Sequence, residues 1–247
     1  MSNNFNDILA DIKKIKTGVQ VWVPSKKENV ELKVLTLAQQ KAIIESSADI
    51  NLSVLFFNST ISKILEQNLP DKLTSYNTID RVQFAIALRR QIKNEISIDG
   101  GNYLLEQVLA ENKLRESYIA PKVIESTNYK FSVRVPNLEY DNRVNNLLLK
   151  RYKDESIRGN KLKSLISDLF VSELFKFIEK IEVQSSNNVL DLTANITQGL
   201  ELIESIDSKE FVDIVTYINN VRAEEKKYTQ IPNKDLYIDI VPDFFVV

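Results

Sequence analysis

Three short β-patterned runs, far apart in the chain, each stop at a proline: Val21-Trp22-Val23-Pro24, Val133-Arg134-Val135-Pro136 and Ile238-Asp239-Ile240-Val241-Pro242. Proline has no N–H to continue a ladder, so each run ends there. Long stretches with apolar residues at helical spacing separate them. This order predicts an α+β protein, mostly helical, with one small antiparallel sheet assembled from N-terminal, central and C-terminal β segments.

Val19, Val21 and Val23 alternate with Gln20 and Trp22, and Val30, Leu32 and Val34 alternate with Glu31 and Lys33. The polar stretch from Ser25 to Asn29 makes the two runs a hairpin. Thr36 with Gln39 forms a capping box. Helical spacing then runs from Ile43 to Leu69, broken near Asp49 to Asn51 and ended by Pro70. Asn77 or Thr78 caps the next helix, through Arg90. Tyr103 to Glu116 has a helical pattern, although Ile96 and Ile98 leave a strand open before the Asp99-Gly100-Gly101 turn. A second hairpin joins Lys122–Ile124 to Tyr129–Val135. Helices are expected over Tyr140–Tyr152, Leu162–Ile181 and Asp191–Ser205, and from an Asp207 cap to about Tyr228. Leu236–Val241 reads as the last strand. Phe5, Ile8, Leu9, Ile12 and Ile15 form one apolar stripe between Asn3 and Lys16. No Pro/Gly/Ser-rich linker divides the remainder, so the expected organisation is a helical arm over residues 1–17 and one α+β domain over 18–247.

Two absences narrow the chemistry. The 247 residues include neither Cys nor His, which removes thiolate nucleophiles, disulfides, Ser-His triads and the usual zinc ligands. Glycine occurs five times, in no phosphate-cradling pattern. A net charge of −2 gives no general attraction to nucleic acid. No apolar run is long enough to span a bilayer, and the start of the chain lacks a signal-peptide layout. The expectation is a non-enzymatic intracellular protein with no cofactor or metal, no nucleic-acid partner and no membrane partner; composition leaves self-association open.

Basic clusters at Arg81/Arg89-Arg90 and Lys150-Arg151-Tyr152-Lys153 fit phosphate binding, but more often form solvated helix faces. Asp239 and Asp243 form a carboxylate pair that also suits an exposed strand edge. Trp22 points away from the valine face, toward a covering helix or a partner. Phe244 and Phe245 lie in an apolar tail that is either core or a segment pairing with a partner's edge. Partner-binding candidates are therefore Trp22, Phe5, Ile8, Phe244 and Phe245.

The order of these landmarks resembles the baseplate hub and hub-assembly proteins of T4-like contractile-tailed phages. The strand ending in Pro24-Ser25, the basic turn at Lys26-Lys27, and the alternating strand and helix start over Glu31–Lys41 are similar to that family's opening. Asp80, Phe84, Leu88 and Arg89 are similar to its Asp-aromatic-Leu-Arg helix. The hairpin over Lys122–Pro136 and the Leu236–Phe245 ending are similar to its centre and end. The resemblance touches the whole chain through short motifs. It implies a non-enzymatic role in assembling the baseplate central hub, as a subunit or an assembly chaperone. The implied partners are other hub or tape-measure proteins, and the implied location is the host cytoplasm during assembly or the virion tail baseplate. An adaptor binding a partner helix or strand, unrelated to phage, is the alternative from another class.

Overall fold

The computed structural model describes residues 18–47, 51–115, 119–153 and 157–246. In chain order the elements are β1 (Val19–Val23), β2 (Glu28–Leu32), α1 (Leu37–Glu45), α2 (Ser53–Asn68), α3 (Thr78–Ile92), β3 (Glu95–Ile98), β4 (Gly101–Leu104), α4 (Leu105–Lys113), β5 (Lys122–Glu125), β6 (Tyr129–Val133), α5 (Leu138–Tyr152), α6 (Asn160–Phe177), β7 (Ile178–Val183), β8 (Asn188–Asp191), α7 (Ile196–Ser205) and α8 (Val212–Lys227). Short 3-10 turns occupy Leu73–Ser75, Ser208–Phe211 and Pro242–Phe245. Helix outweighs strand, 54% to 19%, and the class is α+β as the sequence predicts.

The single sheet does not form. The strands make two separate hairpins, β1-β2 and β3-β4, and one four-stranded antiparallel sheet, β5-β6-β7-β8. The C-terminal run contributes only an isolated bridge between Gln230 and Tyr237, then turns into the Pro242–Phe245 helical turn. The three proline-ended runs converge on a helix instead. Ser25, after Pro24, donates its backbone N–H to Asp80 Oδ1 at 2.9 Å and its hydroxyl to Asp80 Oδ2 at 2.5 Å. The Pro136 carbonyl accepts the Thr78 N–H at 3.0 Å. Arg89 Nε donates to the Phe244 carbonyl at 2.5 Å. All three acceptors or donors on the other side belong to α3 or its first turn.

This explains why α3 has no polar face. Ile79, Val82, Phe84, Ala85, Ile86, Ala87 and Leu88 are buried together with Asp80, Gln83 and Arg89, the pattern of a helix enclosed on all sides. Its first turn is closed by the Asp80 carboxylate, which also accepts the Asn77 N–H at 2.7 Å.

The helix expected over Leu162–Ile181 ends four residues early, and β7 and β8 follow. A β-bulge hides this strand in the sequence. Val133 pairs with Ile178 but Ser132 pairs with Lys180, so Glu179 is extra. Ile178 and Ile181 therefore both face inward although they are three residues apart, a helical spacing. The β7-β8 turn repeats the geometry of the β1-β2 turn. In each, the fourth turn residue adopts a positive φ (Lys27 at 54°, Asn187 at 54°), and its N–H returns 2.8 Å to the carbonyl of Val23 or Val183. Ile96 and Ile98 lie in β3, so α4 starts at Leu105 rather than Tyr103. The capping box at Thr36 and Gln39 forms as expected.

Replacing Asp80 tests how α3 holds the first hairpin. Asp80→Asn puts an amide donor where the Asn77 N–H and the Ser25 hydroxyl need an acceptor. The expected loss is about 1–3 kcal/mol of unfolding free energy by urea titration. Ser25→Ala removes only the hydroxyl bond and is expected to cost about 1 kcal/mol.

Candidate functional site

The C-terminal phenylalanines are core. Phe245 is fully buried and Phe244 nearly so. Phe245 packs on Phe57 of α2 with ring centroids 6.1 Å apart and meets Phe244 edge-on at 5.3 Å. Gln40 Nε2 donates to the Phe245 carbonyl at 3.1 Å. Arg89 binds the Phe244 carbonyl, and its other nitrogens reach the carbonyls of Lys93 at 2.6 Å and Glu95 at 3.4 Å. As a partner-binding tail, Phe244 and Phe245 are thus corrected: the tail is locked between α1, α2 and α3. Arg89 is corrected too, being neither a phosphate ligand nor part of a solvated face. Burial lowers its affinity for the proton, and three carbonyls offset that cost. Its neighbour Arg90 does face outward, 3.5 Å from Glu106.

Trp22 is half-buried in β1 opposite Asn29, with Lys113 Nζ 5.9 Å from its ring centroid. It does not join the other candidates. Phe5 and Ile8 lie outside the described residues. Asp239 and Asp243 are both exposed, Asp239 before the Pro242–Phe245 turn and Asp243 within it. In the Lys150–Lys153 cluster, Arg151 and the Tyr152 hydroxyl both bind Asp168 Oδ2 at 2.6 Å.

A second set of charges comes together from three helices. Asp141, on α5, is buried between Arg81 of α3 at 2.7 Å and Lys176 of α6 at 2.9 Å. Asn145 completes the cluster: its Nδ2 donates to Asp141 at 3.0 Å and its Oδ1 accepts from Lys176 at 2.7 Å. Burial pushes the Asp141 carboxyl up, but the two cations and their hydrogen bonds outweigh it and hold it well below the ordinary carboxylate range. Outward from this cluster, Glu173 pairs with Arg222 of α8, which also binds Glu225 at 2.6 Å. Spacing offered one clue, since Asp141 and Asn145 are four apart on α5; the partners from α3 and α6 are not local.

The network forms the floor of a 260 Å³ cavity, also lined by Val54, Phe57, Asn58, Leu169 and Ile240. Val54, Phe57, Asn58 and Ile240 continue into a 280 Å³ pocket that ends at Pro242 and Asp243. The two make one furrow along α2. At its α6 rim the surface is apolar. Leu162, Ile166 and Phe170 are spaced four apart on α6, and Phe170 and Ile166 are each 59% exposed. Leu169 and Glu173, which line the cavity, sit three or four residues from Ile166 and Phe170 on the same face. Val54, across the furrow on α2, is 65% exposed. This apolar rim is the best candidate for a functional surface. The periodicity of α6 marked its residues as apolar; it did not mark Ile166 and Phe170 as the unburied ones.

Among the described residues no group of three or more Asp, Glu, His or Cys is placed to hold a metal ion. Among them, too, no helix is long and apolar enough to cross a membrane. No known protein family, curated protein or solved structure matches the chain.

Asp141→Asn leaves two cations facing each other in the core and is expected to destabilise by about 3–5 kcal/mol in urea titration. Because the folded Asp141 pKa lies below its unfolded value, its stabilisation is present at neutral pH and is lost as pH falls below about 4. The stability curve of the wild type is expected to fall more steeply there than that of Asp141→Asn. Phe245→Ala empties a fully buried ring site, with an expected loss of about 3–5 kcal/mol by the same measurement.

Proposed function

We propose that this chain is a non-enzymatic interaction protein of a contractile phage tail, acting in assembly of the baseplate central hub as a subunit or as an assembly factor. The observation that carries the interaction reading is the exposed Leu162-Ile166-Phe170 face beside the furrow along α2. Apolar side chains grouped on one helix face and bordered by charged residues are what a protein interface offers. The phage assignment rests on the sequence landmarks. Three of them, the Pro24-Ser25 turn, Asp80 and the Phe244-Phe245 ending, are tied to one helix by hydrogen bonds, so they act as one structural unit rather than as unrelated motifs.

In this reading the partners are other hub or tape-measure proteins, met in the host cytoplasm during assembly. With no Cys or His and a net charge of −2, protein–protein contact accounts for the chain better than chemistry or nucleic-acid binding. A retained subunit and a departing assembly factor differ in one measurement: mass spectrometry of purified virions finds the first and not the second.

An adaptor unrelated to phage is the second reading, favoured by the sheet. β5 and β8 are its two edges, and Val123, Val189 and Leu190 on them are exposed. A partner strand could add to either edge.

The test is co-expression with candidate hub and tape-measure proteins followed by pull-down. Phe170→Asp with Ile166→Asp is expected to abolish capture. Far-UV circular dichroism and the urea midpoint are expected to stay within about 0.5 kcal/mol of wild type, since both residues face solvent. Capture that survives both substitutions would remove the α6 face as the interface.

A further inference from the structure

The furrow along α2 contains hydrogen-bond donors that the fold does not use. Arg81 of α3 donates through Nη1 to Asp141 Oδ2, and its Nε and Nη2 meet no acceptor among the described residues. The side chain is only 11% exposed, yet it lines the 260 Å³ cavity. None of its nitrogens is fully sealed without a partner, so the unspent N–H groups open into that cavity. Asn58 lines both this cavity and the 280 Å³ pocket beside it, and so stands where the two join. Its carboxamide forms no hydrogen bond among the described residues. Donors held this close to the interior favour any occupant that brings acceptors to them.

The lining selects the kind of acceptor. Arg81, Lys176 and Arg222 are its cations, and Asp141, Glu173 and Glu225 its acids. All six are already ion-paired within the set. An added carboxylate would enter a charge-balanced site beside three acids. Neutral carbonyl oxygens supply acceptors without adding charge. The same helix shows the pattern: about two turns on, Arg89 is held by the carbonyls of Phe244, Lys93 and Glu95. A helix has its carbonyls bonded internally, whereas an extended segment carries them free. The apolar walls set the length. Val54 and Ile61 bound the cavity along α2, about 10 Å apart at helical rise, which is the span of about three extended residues. Val54, Phe57 and Ile240 line cavity and pocket alike, so Asn58 has apolar wall on both sides. Alternate residues of a strand point to one face about 7 Å apart, which suits two adjoining pockets.

We propose, resting on the reading of the neighbouring α6 face as the partner surface, that the furrow binds an extended, uncharged segment of the partner protein. Two apolar side chains, two residues apart, occupy the cavity and the pocket. The backbone carbonyls between them accept from Arg81 and Asn58.

The test is isothermal titration of the full chain with two capped pentapeptides, acetyl-Thr-Val-Thr-Leu-Thr-amide and its counterpart with Ile and Phe at the apolar positions. Saturable binding with a Kd of about 0.01–1 mM is expected for at least one. It is expected to change less than about twofold between low and high salt, because no net charge is matched. Asn58→Asp puts an acceptor where the donor was, and Asn58→Leu removes the donor at similar size. Each is expected to weaken binding about tenfold, with a urea midpoint close to wild type because the Asn58 side chain is bonded to nothing in the fold. A peptide with Glu in place of the first apolar residue is expected to bind about tenfold more weakly. Failure of both peptides to saturate, undiminished binding by the Asn58 variants, or tighter binding of the Glu peptide would each overturn the proposal. The peptide measurement contains no phage protein, so a failure to capture hub proteins would remove the phage reading and leave this result standing. Capture that survives Asn58→Asp but not Phe170→Asp with Ile166→Asp would remove the furrow occupant and leave the α6 interface.

Discussion

The charges turned inward from α3 hold the molecule together. Within one helix, Asp80 fixes the first hairpin through Ser25, Arg81 joins α5 and α6 through Asp141, and Arg89 fixes the C-terminal turn through the Phe244 carbonyl. These contacts span 55, 60 and 155 residues of sequence. Hydrophobic burial gives the core its free energy but no direction. Buried ionic and carbonyl contacts add direction, because leaving any one unpaired costs the full desolvation of the remaining group. The order in which distant segments meet α3 is thereby fixed at both of its ends.

The same arrangement explains which parts of the fold were legible in the sequence. Local signals held. The Thr36–Gln39 capping box, the first and central hairpins, and the cores of α5 and α8 depend on residues within a few positions of one another. Signals that depend on tertiary partners did not hold. Arg89 and Arg90 are identical in type and adjacent, yet one is buried against carbonyls and the other faces Glu106. Nothing local distinguishes them. β7 was hidden for another reason: its bulge gives Ile178 and Ile181 the spacing of a helix face. The positive-φ turn at Asn187 was the available clue, since Gln184-Ser185-Ser186-Asn187 is polar and Asn tolerates that conformation.

The C-terminal aromatics are buried while an apolar face of α6 is exposed, for a related reason. A terminal Phe-Phe in a sequence is equally compatible with a free tail and with a buried one. Here Arg89 and Gln40 together satisfy the carbonyls of Phe244 and Phe245, which lets both rings enter the core without stranding backbone acceptors. The tail's apolar content is consumed inside the molecule. By contrast, the apolar residues of α6 exceed what its packing can bury. Leu165, Leu174, Phe175 and Phe177 face the interior, while Ile166 and Phe170 stay outside.

Helix α6 consequently has three faces with separate tasks. Lys176, near its C-terminus, reaches Asp141 in the interior. Asp168 and Val171 turn toward a groove shared with α5 and α7. Ile166 and Phe170 are exposed beside Leu169 and Glu173, which line the furrow shared with α2. Substitutions on the two outer faces leave the buried Lys176–Asp141 contact intact, so either face can be altered without removing the charge that α6 sends into the interior. The two surfaces lie on opposite flanks of one rigid helix.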